Sequence, residues 1–371
     1  MRMELLSEDQ QLIADSAAGF VRDGHGIAAF RALRRAGYDA NLTITAELAE
    51  MGWMGIVIPE AFGGVGLGYR AAGLIAEELG RNLTVSPFVS SAILAGTALA
   101  STGGDIAQNW APKIAAGDTV VALAIDEAAK HRPERVATSL TGTSDALTLS
   151  GRKTFVVDGG IADRLIVTAK RGDDLCLVLC DPQAAGVTRA SQVMLDHRNA
   201  ATVIFEDVAL TEADILVQGP AAEDVLAKTL AAGRAIAAAE QLGVAKAAAE
   251  QTYDYLRTRK QFGVLIGQFQ ALQHRAADLY CELAQVSSLI AAALNALDEG
   301  SDEVETLTRV AKAKMARVGR QATEEGVQMH GGIGMTDEMD LGLFMKRDRA
   351  LTEFLGDAGY HTEWILRQRG I

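Results

Sequence analysis

A chain of 371 residues is too long for one simple core, so two or three domains or layers are expected, each large enough to bury a stable interior. Hydrophobic residues at 49% and charged residues at 22% are ordinary for a globular protein, and only six prolines favour long helices over a loop-rich or disordered design. The net charge of −13, with no long basic run, argues against nucleic acid or an anionic membrane surface as a partner, so an anionic ligand needs a local basic pocket.

The chain starts MRMELLSEDQQLIADSAAGF, amphipathic and acidic, without the basic start, apolar run and small-residue cleavage site of a secretory signal. From Ser7, an N-cap candidate, to about Gly117 the pattern is helical, with apolar residues three and four apart in TITAELAEMGW and YRAAGLIAEELGRN. Between about Thr119 and Asp207 the period switches to two, in VVALAI, ALTLSGRKTFVV, RLIVTAK, LCLVLCD and TVIFEDV, as in an antiparallel barrel or sandwich. After Ala209 the helical period returns, with long segments over 222–259, 268–299 and 302–328 broken by NALDEGSDE and the glycine-rich HGGIGMTDEMDLG. Three regions follow: an N-terminal α-helical domain over 1–118, a middle β domain over 119–210 and a C-terminal α-helical bundle over 211–371. The alanine clusters in LAAGRAIAAAEQLGVAKAAAEQ (230–251) read as a tightly packed, buried helix.

Three cysteines do not make a closed disulfide framework, and Cys176 and Cys180 lie in an alternating apolar strand as reduced core thiols. No metal site is indicated. No segment approaches the ~20 uninterrupted apolar residues of a membrane span, and a reducing cytoplasm is expected.

Three stretches, in order and spread over nearly the whole chain, resemble the acyl-CoA dehydrogenase family: MGWMGIVIPEAFGGVGLG (51–68), RTRKQFGVLIGQFQALQHRAADLY (257–280) and QMHGGIGMTDEMDLGLFMKRDR (328–349). The resemblance implies an α+β multidomain flavoprotein with an N-terminal helical domain, a middle antiparallel β-barrel or sandwich and a C-terminal four-helix bundle. FAD would lie extended between the β domain and the C-terminal helices, part of it touching a neighbouring subunit of a homodimer, homotetramer or hetero-oligomer. The implied reaction oxidises an acyl-CoA thioester to the trans-2-enoyl-CoA. A glutamate removes the α-proton, the β-hydrogen leaves as hydride to the flavin, and an electron-transfer flavoprotein reoxidises it.

Residue chemistry agrees with parts of this. An arginine at a helix end, Arg259, pairs well with a pyrophosphate, and Gly263 permits a turn that brings backbone close to a nucleotide. The family match makes Arg259, Gln261, Phe262 and Gln270 candidates for holding the FAD of a partner subunit, and Gln328, Gly331 and Gly332 candidates for its adenosine end. Arg259 is also readable as an ordinary cation at a helix C-terminus. His330, alone in a glycine turn, reads as packed or hydrogen-bonded.

Other positions depart from the family. Its Thr-Glu-Pro stretch is here LAIDEAAKHRPE, in which Leu123 and Ile125 are the flavin neighbours, and its Trp-x-Thr is Phe155-Val156-Val157. Phe155 still covers a flavin ring, whereas Val157 has no hydroxyl to donate. Counting from Arg347-Asp348, the catalytic glutamate falls on Gly356 and a flavin-contacting threonine on Ala358; the minority seat, just before pocket residue Arg234, is Gly233. Both seats are empty. Asp357 is the nearest substitute base, but one residue turns a helical side chain by about 100 degrees. Glu353 and Glu363 read as partners of Arg349 and Arg367, and Glu240 is a further acid to place. Three readings stay open: a dehydrogenase with a displaced base, a non-catalytic subunit completing the FAD site of a base-bearing chain, and a flavoprotein with other chemistry, such as a desulfinase or a nitroalkane-oxidase-like enzyme.

Overall fold

The structure, a computed structural model, describes residues 6–36, 43–143 and 146–371; the chain's first five residues lie outside these. Helix α1 (Glu8–Phe20) starts where expected: Ser7 Oγ accepts from the Gln10 amide and Gln10 Oε1 from the Ser7 amide, both at 3.2 Å, a reciprocal capping box. Helices α2 (Ile27–Ala36), α3 (Thr43–Glu50), α4 (Gly68–Arg81), α5 (Gly96–Thr102) and α6 (Gly104–Ala115) complete the N-terminal region.

Strands β1 (Val121–Ala124), β2 (Ser139–Thr143), β3 (Ala146–Val157), β4 (Arg164–Arg171), β5 (Asp174–Cys180), β6 (Val187–Val193), β7 (Asn199–Leu210) and β8 (Ile215–Gln218) form one mostly antiparallel sheet in the order β6-β7-β3-β2-β4-β5-β8, with β1 added parallel to β4. The alternation in β3 buries Leu147, Leu149 and Val156 against Leu165, Val167, Val178 and Phe205, and β5 buries Cys176 and Cys180 as free thiols. Burial pushes the Cys180 thiol up to about 12. Inside this core Lys153 is fully buried; its ammonium donates to Ile125 O (3.1 Å), Glu127 Oε1 (2.7 Å) and Thr168 Oγ1 (2.8 Å), so its charge is compensated where it lies.

The C-terminal region holds α7 (Pro220–Thr258), a two-strand hairpin of β9 (Lys260–Gln261) and β10 (Val264–Leu265), α8 (Gln270–Glu299), α9 (Val304–His330), α10 (Leu341–Glu353) and α11 (Ala358–Gln368). Along the chain the order is helix, strand, helix. In space the described residues divide otherwise, into two compact units: one contains the residues up to Ala36, Gly73–Val85 and Arg234–Ile371, the other 43–72 and Ser86–Gly233. Sequence period reports secondary structure, and it carries no information about which distant helix a given helix packs on.

Among the described residues α8 is long and apolar enough, by length and composition, to cross a membrane, a candidate missed by asking for an uninterrupted apolar run. Its Leu279, Leu283, Val286 and Ile290 are buried, and ion pairs Arg275–Glu325 (2.5 Å) and Glu282–Lys314 tie it to α9.

The alanine-rich α7 packs closely against α4. A Cβ at Gly243 would lie 1.9 Å from the Glu77 carbonyl oxygen, and one at Gly80 would lie 2.1 Å from that of Glu240. Lys246 Nζ reaches Glu77 Oε1 at 2.8 Å beside this crossing, and Arg81 pairs with Glu250 at 2.5 Å. Replacing Gly243 by alanine adds about 1 kcal/mol of helix propensity but forces backbone apart, which costs about 1–3 kcal/mol or more. We expect Gly243→Ala to lose about 2 kcal/mol net, read as a lowered urea midpoint at unchanged slope.

Candidate functional site

The α7–α8 connection turns on Phe262 (φ +54) and Gly263 (φ +81), a two-residue hairpin with both residues left-handed. Glycine accepts this readily; phenylalanine does so at a cost, and its ring is 94% exposed. A strained, exposed aromatic at a hairpin tip is a candidate contact. Arg259 is exposed, and its guanidinium makes no ion pair among the described residues. Gln261 and Gln270 are exposed as well, with the Gln261 amide donating to Lys260 O at 2.7 Å.

The end of α9 meets the base of this hairpin. Leu256, Ile266 and Met329 share a small core, and His330 stacks on Tyr255 with ring centroids 4.2 Å apart. His330 Nδ1 lies 2.8 Å from the Gly326 carbonyl, which only accepts, so this nitrogen carries the proton. Burial lowers the imidazole's pKa, and the packed reading of His330 fits. Past it, Gly331 (φ +64) closes the helix and Gly332 follows; a Cβ on either would meet nothing within 4 Å. With exposed Gln328, these glycines present open backbone. The hairpin region that carries Arg259, Gln261, Phe262 and Gln270 and the α9 end that carries Gln328, Gly331 and Gly332 are linked through the Leu256–Ile266–Met329 core and the Tyr255–His330 stack.

Leu123 in β1 and Ile125 just past its end are buried. Phe155 sits where the β3–β7 register shifts, between Lys153 and Val156; its φ is +52 and it is 36% exposed. This bulge turns an aromatic ring out of a strand whose neighbouring Val156 points into the core. Val157 is half-buried and offers only its backbone for hydrogen bonding.

The α10–α11 turn differs most from expectation. Leu355 (φ +58) and Gly356 (φ +103) are both left-handed. The fully buried Lys312 of α9 donates to the carbonyls of Leu351 (2.7 Å), Thr352 (3.3 Å) and Gly356 (3.4 Å), ending α10 and fixing the turn. A Cβ at Gly356 would stand 2.5 Å from Tyr360 Cδ1 and 2.9 Å from His361 Nε2. A side chain at this position would have to start by displacing these two residues. They are clamped by Arg309, whose guanidinium lies 4.5 Å from the Trp364 ring centre, 5.4 Å from that of Tyr360 and 3.4 Å from His361 Nδ1, and pairs with Glu305 at 2.6 Å.

Asp357, the nearest acid to the empty position, also has a local structural role. Its Oδ1 accepts from the Tyr360 amide at 2.8 Å, making it the N-cap of α11. Arg234, expected to line a substrate pocket, is 1% exposed and engages Glu305 and Thr308, and burial pulls its guanidinium down to about 10. Glu240 accepts from Arg347 at 2.7 Å, while Glu353 and Glu363 pair with Arg349 and Arg367, the surface partners anticipated for them.

Lys312 and Arg309 were missed from sequence, although a signal existed. The core face of α9 runs Thr308, Lys312, Met315, Gly319, Ala322, and a lysine on that stripe must find polar partners. Asp348, 4% exposed, lies near it and accepts from Gln241 Nε2 at 2.8 Å. Among the described residues no group of three or more His, Cys, Asp or Glu gathers as metal ligands.

The profile described as "Acyl-CoA dehydrogenase, N-terminal domain" matches residues 7–118, and "Acyl-CoA dehydrogenase, C-terminal domain" matches 224–369. The chain is 32% identical over 357 residues to Acyl-CoA dehydrogenase IpdE2 of Mycobacterium tuberculosis, covering 94% of this chain and 93% of the relative. Among solved structures it is similar to a variant of the Tcur3481-Tcur3483 steroid ACAD, at 27% identity, TM-score 0.89 and 98% and 99% coverage of the two chains. The ChsE4-ChsE5 complex of Mycobacterium tuberculosis shares the fold, with TM-score 0.91, 23% identity and 100% and 99% coverage.

Burial pushes the Asp348 carboxyl up to about 7 from its ordinary 3.8. A folded-state pKa above the unfolded one favours folding most when the group is protonated, and that stabilisation is lost as pH rises through about 7. Asp348→Asn should therefore gain thermal stability relative to the wild type as pH rises from about 5 to about 7.5, read as a growing difference in Tm.

Proposed function

Because this chain belongs to the acyl-CoA dehydrogenase family of flavoprotein oxidoreductases, we propose that it works as one subunit of an FAD-dependent acyl-CoA dehydrogenase whose base is carried by a related partner chain. Bound FAD would supply a hydride acceptor for the β-hydrogen of an acyl-CoA thioester, and an electron-transfer flavoprotein would be its reoxidant.

The residues fit such a cofactor. A pyrophosphate needs a cation not already engaged by an acid, and Arg259 is one among the described residues. A nucleotide needs backbone without an obstructing Cβ, which Gly331 and Gly332 offer. An isoalloxazine needs an apolar face, which Phe155 supplies from its bulge, while Val157 leaves flavin N5 to a backbone donor or to none. Gln261, Phe262 and Gln270 would bear on the FAD of the neighbouring subunit, and Gln328 on the adenosine end. The free thiols Cys176, Cys180 and Cys281 agree with a cytoplasmic setting.

The single observation that supports the division of labour is the crowded, left-handed glycine at 356, with no carboxylate of its own. General base catalysis requires a group within about 3 Å of the proton it takes. A Cβ at Gly356 would crowd Tyr360 and His361, His361 is 0% exposed, and Asp357 caps α11 through Oδ1. The reacting proton would then be taken by the partner, while this chain contributes cofactor contacts and a closed wall. The named neighbours Tcur3481-Tcur3483 and ChsE4-ChsE5 agree with a two-chain assembly.

Co-expression with candidate base-bearing chains tests this. The expected result is FAD retention and bleaching of its visible absorbance by acyl-CoA only in the two-chain complex, with Asp357→Ala in this chain lowering stability by about 1 kcal/mol and leaving bleaching intact. Bleaching by the lone chain, abolished in Asp357→Asn, would sink the proposal and restore Asp357 as the base.

A further inference from the structure

The turn that offers Gly331 and Gly332 is tied down from an unexpected quarter. After it, residues 336–340 run without helix or strand to the start of α10 at Leu341. One end of this stretch is fixed by the end of α9, where the Gly331 amide donates to Gln328 O. The other end is gripped by α2, more than 300 residues earlier in the chain.

Helix α2 buries Phe30 among Leu341, Phe344 and Leu351, which sets its height over α10. From that footing Arg31 and Arg34, three residues apart and so on one face, reach the loop. Arg31 Nε and Nη2 lie 2.9 and 2.7 Å from Asp340 Oδ1, its Nη2 donates to Met339 O at 3.3 Å, and its Nη1 lies 3.6 Å from Asp337 Oδ2. Arg34 Nη1 meets Asp337 Oδ1 at 2.6 Å. The grip falls within nine residues of Gly331, on a stretch with little packing of its own: Met335 is 79% exposed.

We propose that Arg31 and Arg34 are positioning residues for the nucleotide-binding turn Gly331–Met335: their clasp on Asp337, Met339 O and Asp340 holds the open glycines at the height the FAD adenosine needs. The inference rests on the FAD reading above. An open backbone cradle binds well only when its ordering cost has been met before the ligand arrives, and two ionic contacts onto a packed helix do that. Because the four side chains are 22–65% exposed, the clasp feels added salt.

The test is the FAD dissociation constant of the purified holoprotein, with its partner chain where they co-purify, at a temperature where all variants are folded by circular dichroism. The double variant Arg31→Met/Arg34→Met should weaken FAD about tenfold, the size of one lost charge-assisted contact. Arg31→Asp combined with Asp340→Arg should recover affinity that either change alone removes. The wild type should lose affinity more steeply than the double variant as NaCl rises from about 0.05 to about 1 M. A merely structural role predicts a lowered Tm with unchanged affinity and salt slope, and that result overturns the clasp, as does a charge swap that recovers nothing. A wild type that never holds FAD in any assembly overturns the FAD reading and the clasp with it, whereas a flavin-loaded double variant with wild-type affinity overturns the clasp alone.

Discussion

Lys312 is the constraint on which the chemistry-bearing end of this protein depends. A fully buried ammonium survives only where its donors are used, and here they end α10 on the carbonyls of Leu351, Thr352 and Gly356. That pin makes the chain turn through two left-handed residues instead of one helical step. Everything beyond the turn follows from its direction: Asp357 becomes a cap, α11 swings Tyr360 and His361 back over Gly356, and Arg309 holds them there between the Tyr360 and Trp364 rings. Burial pulls Lys312 down to about 8, opposed by Asp348, Glu353 and Asp357, so its charge at neutral pH depends on those acids.

The same unit shows how an acidic protein keeps its cations. Arg234, Lys246, Arg309, Lys312 and Arg347 are each paired or donate to carbonyls inside it. Arg259 stands apart from them, exposed and beside a strained hairpin tip. In a chain of net charge −13 an exposed arginine left without an acid among the described residues is a stronger pointer to an anionic ligand than it would be on a basic surface.

Much of this was legible in the sequence, and the limits are physical. Ser7 announced the α1 cap, the switch in period after Thr119 announced the sheet, and the long helices end at 258, 299 and 330, within two residues of the expected 259, 299 and 328. Local chemistry writes such features into adjacent residues. The glycines of 331–332 were legible for the same reason. What stayed hidden is long range or conformational: the Arg31–Asp340 contact spans 309 positions, the split of the N-terminal helices between two units has no local signature, and no spacing reveals that Gly356 has φ +103. Asp357 is a subtler case. Counting placed it beside an empty catalytic position, yet an aspartate just before a helical run is also a cap signal, and that local reading describes its carboxylate.

The left-handed glycine at 356 also bears on how this sequence can change. A glutamate here would require a backbone that accepts a side chain, a shifted Tyr360 and His361, and a loosened Arg309, all at once. Each of those steps alone destabilises without restoring a base. The turn therefore resists acquiring a side chain at this position for two separate reasons, its backbone conformation and its neighbours.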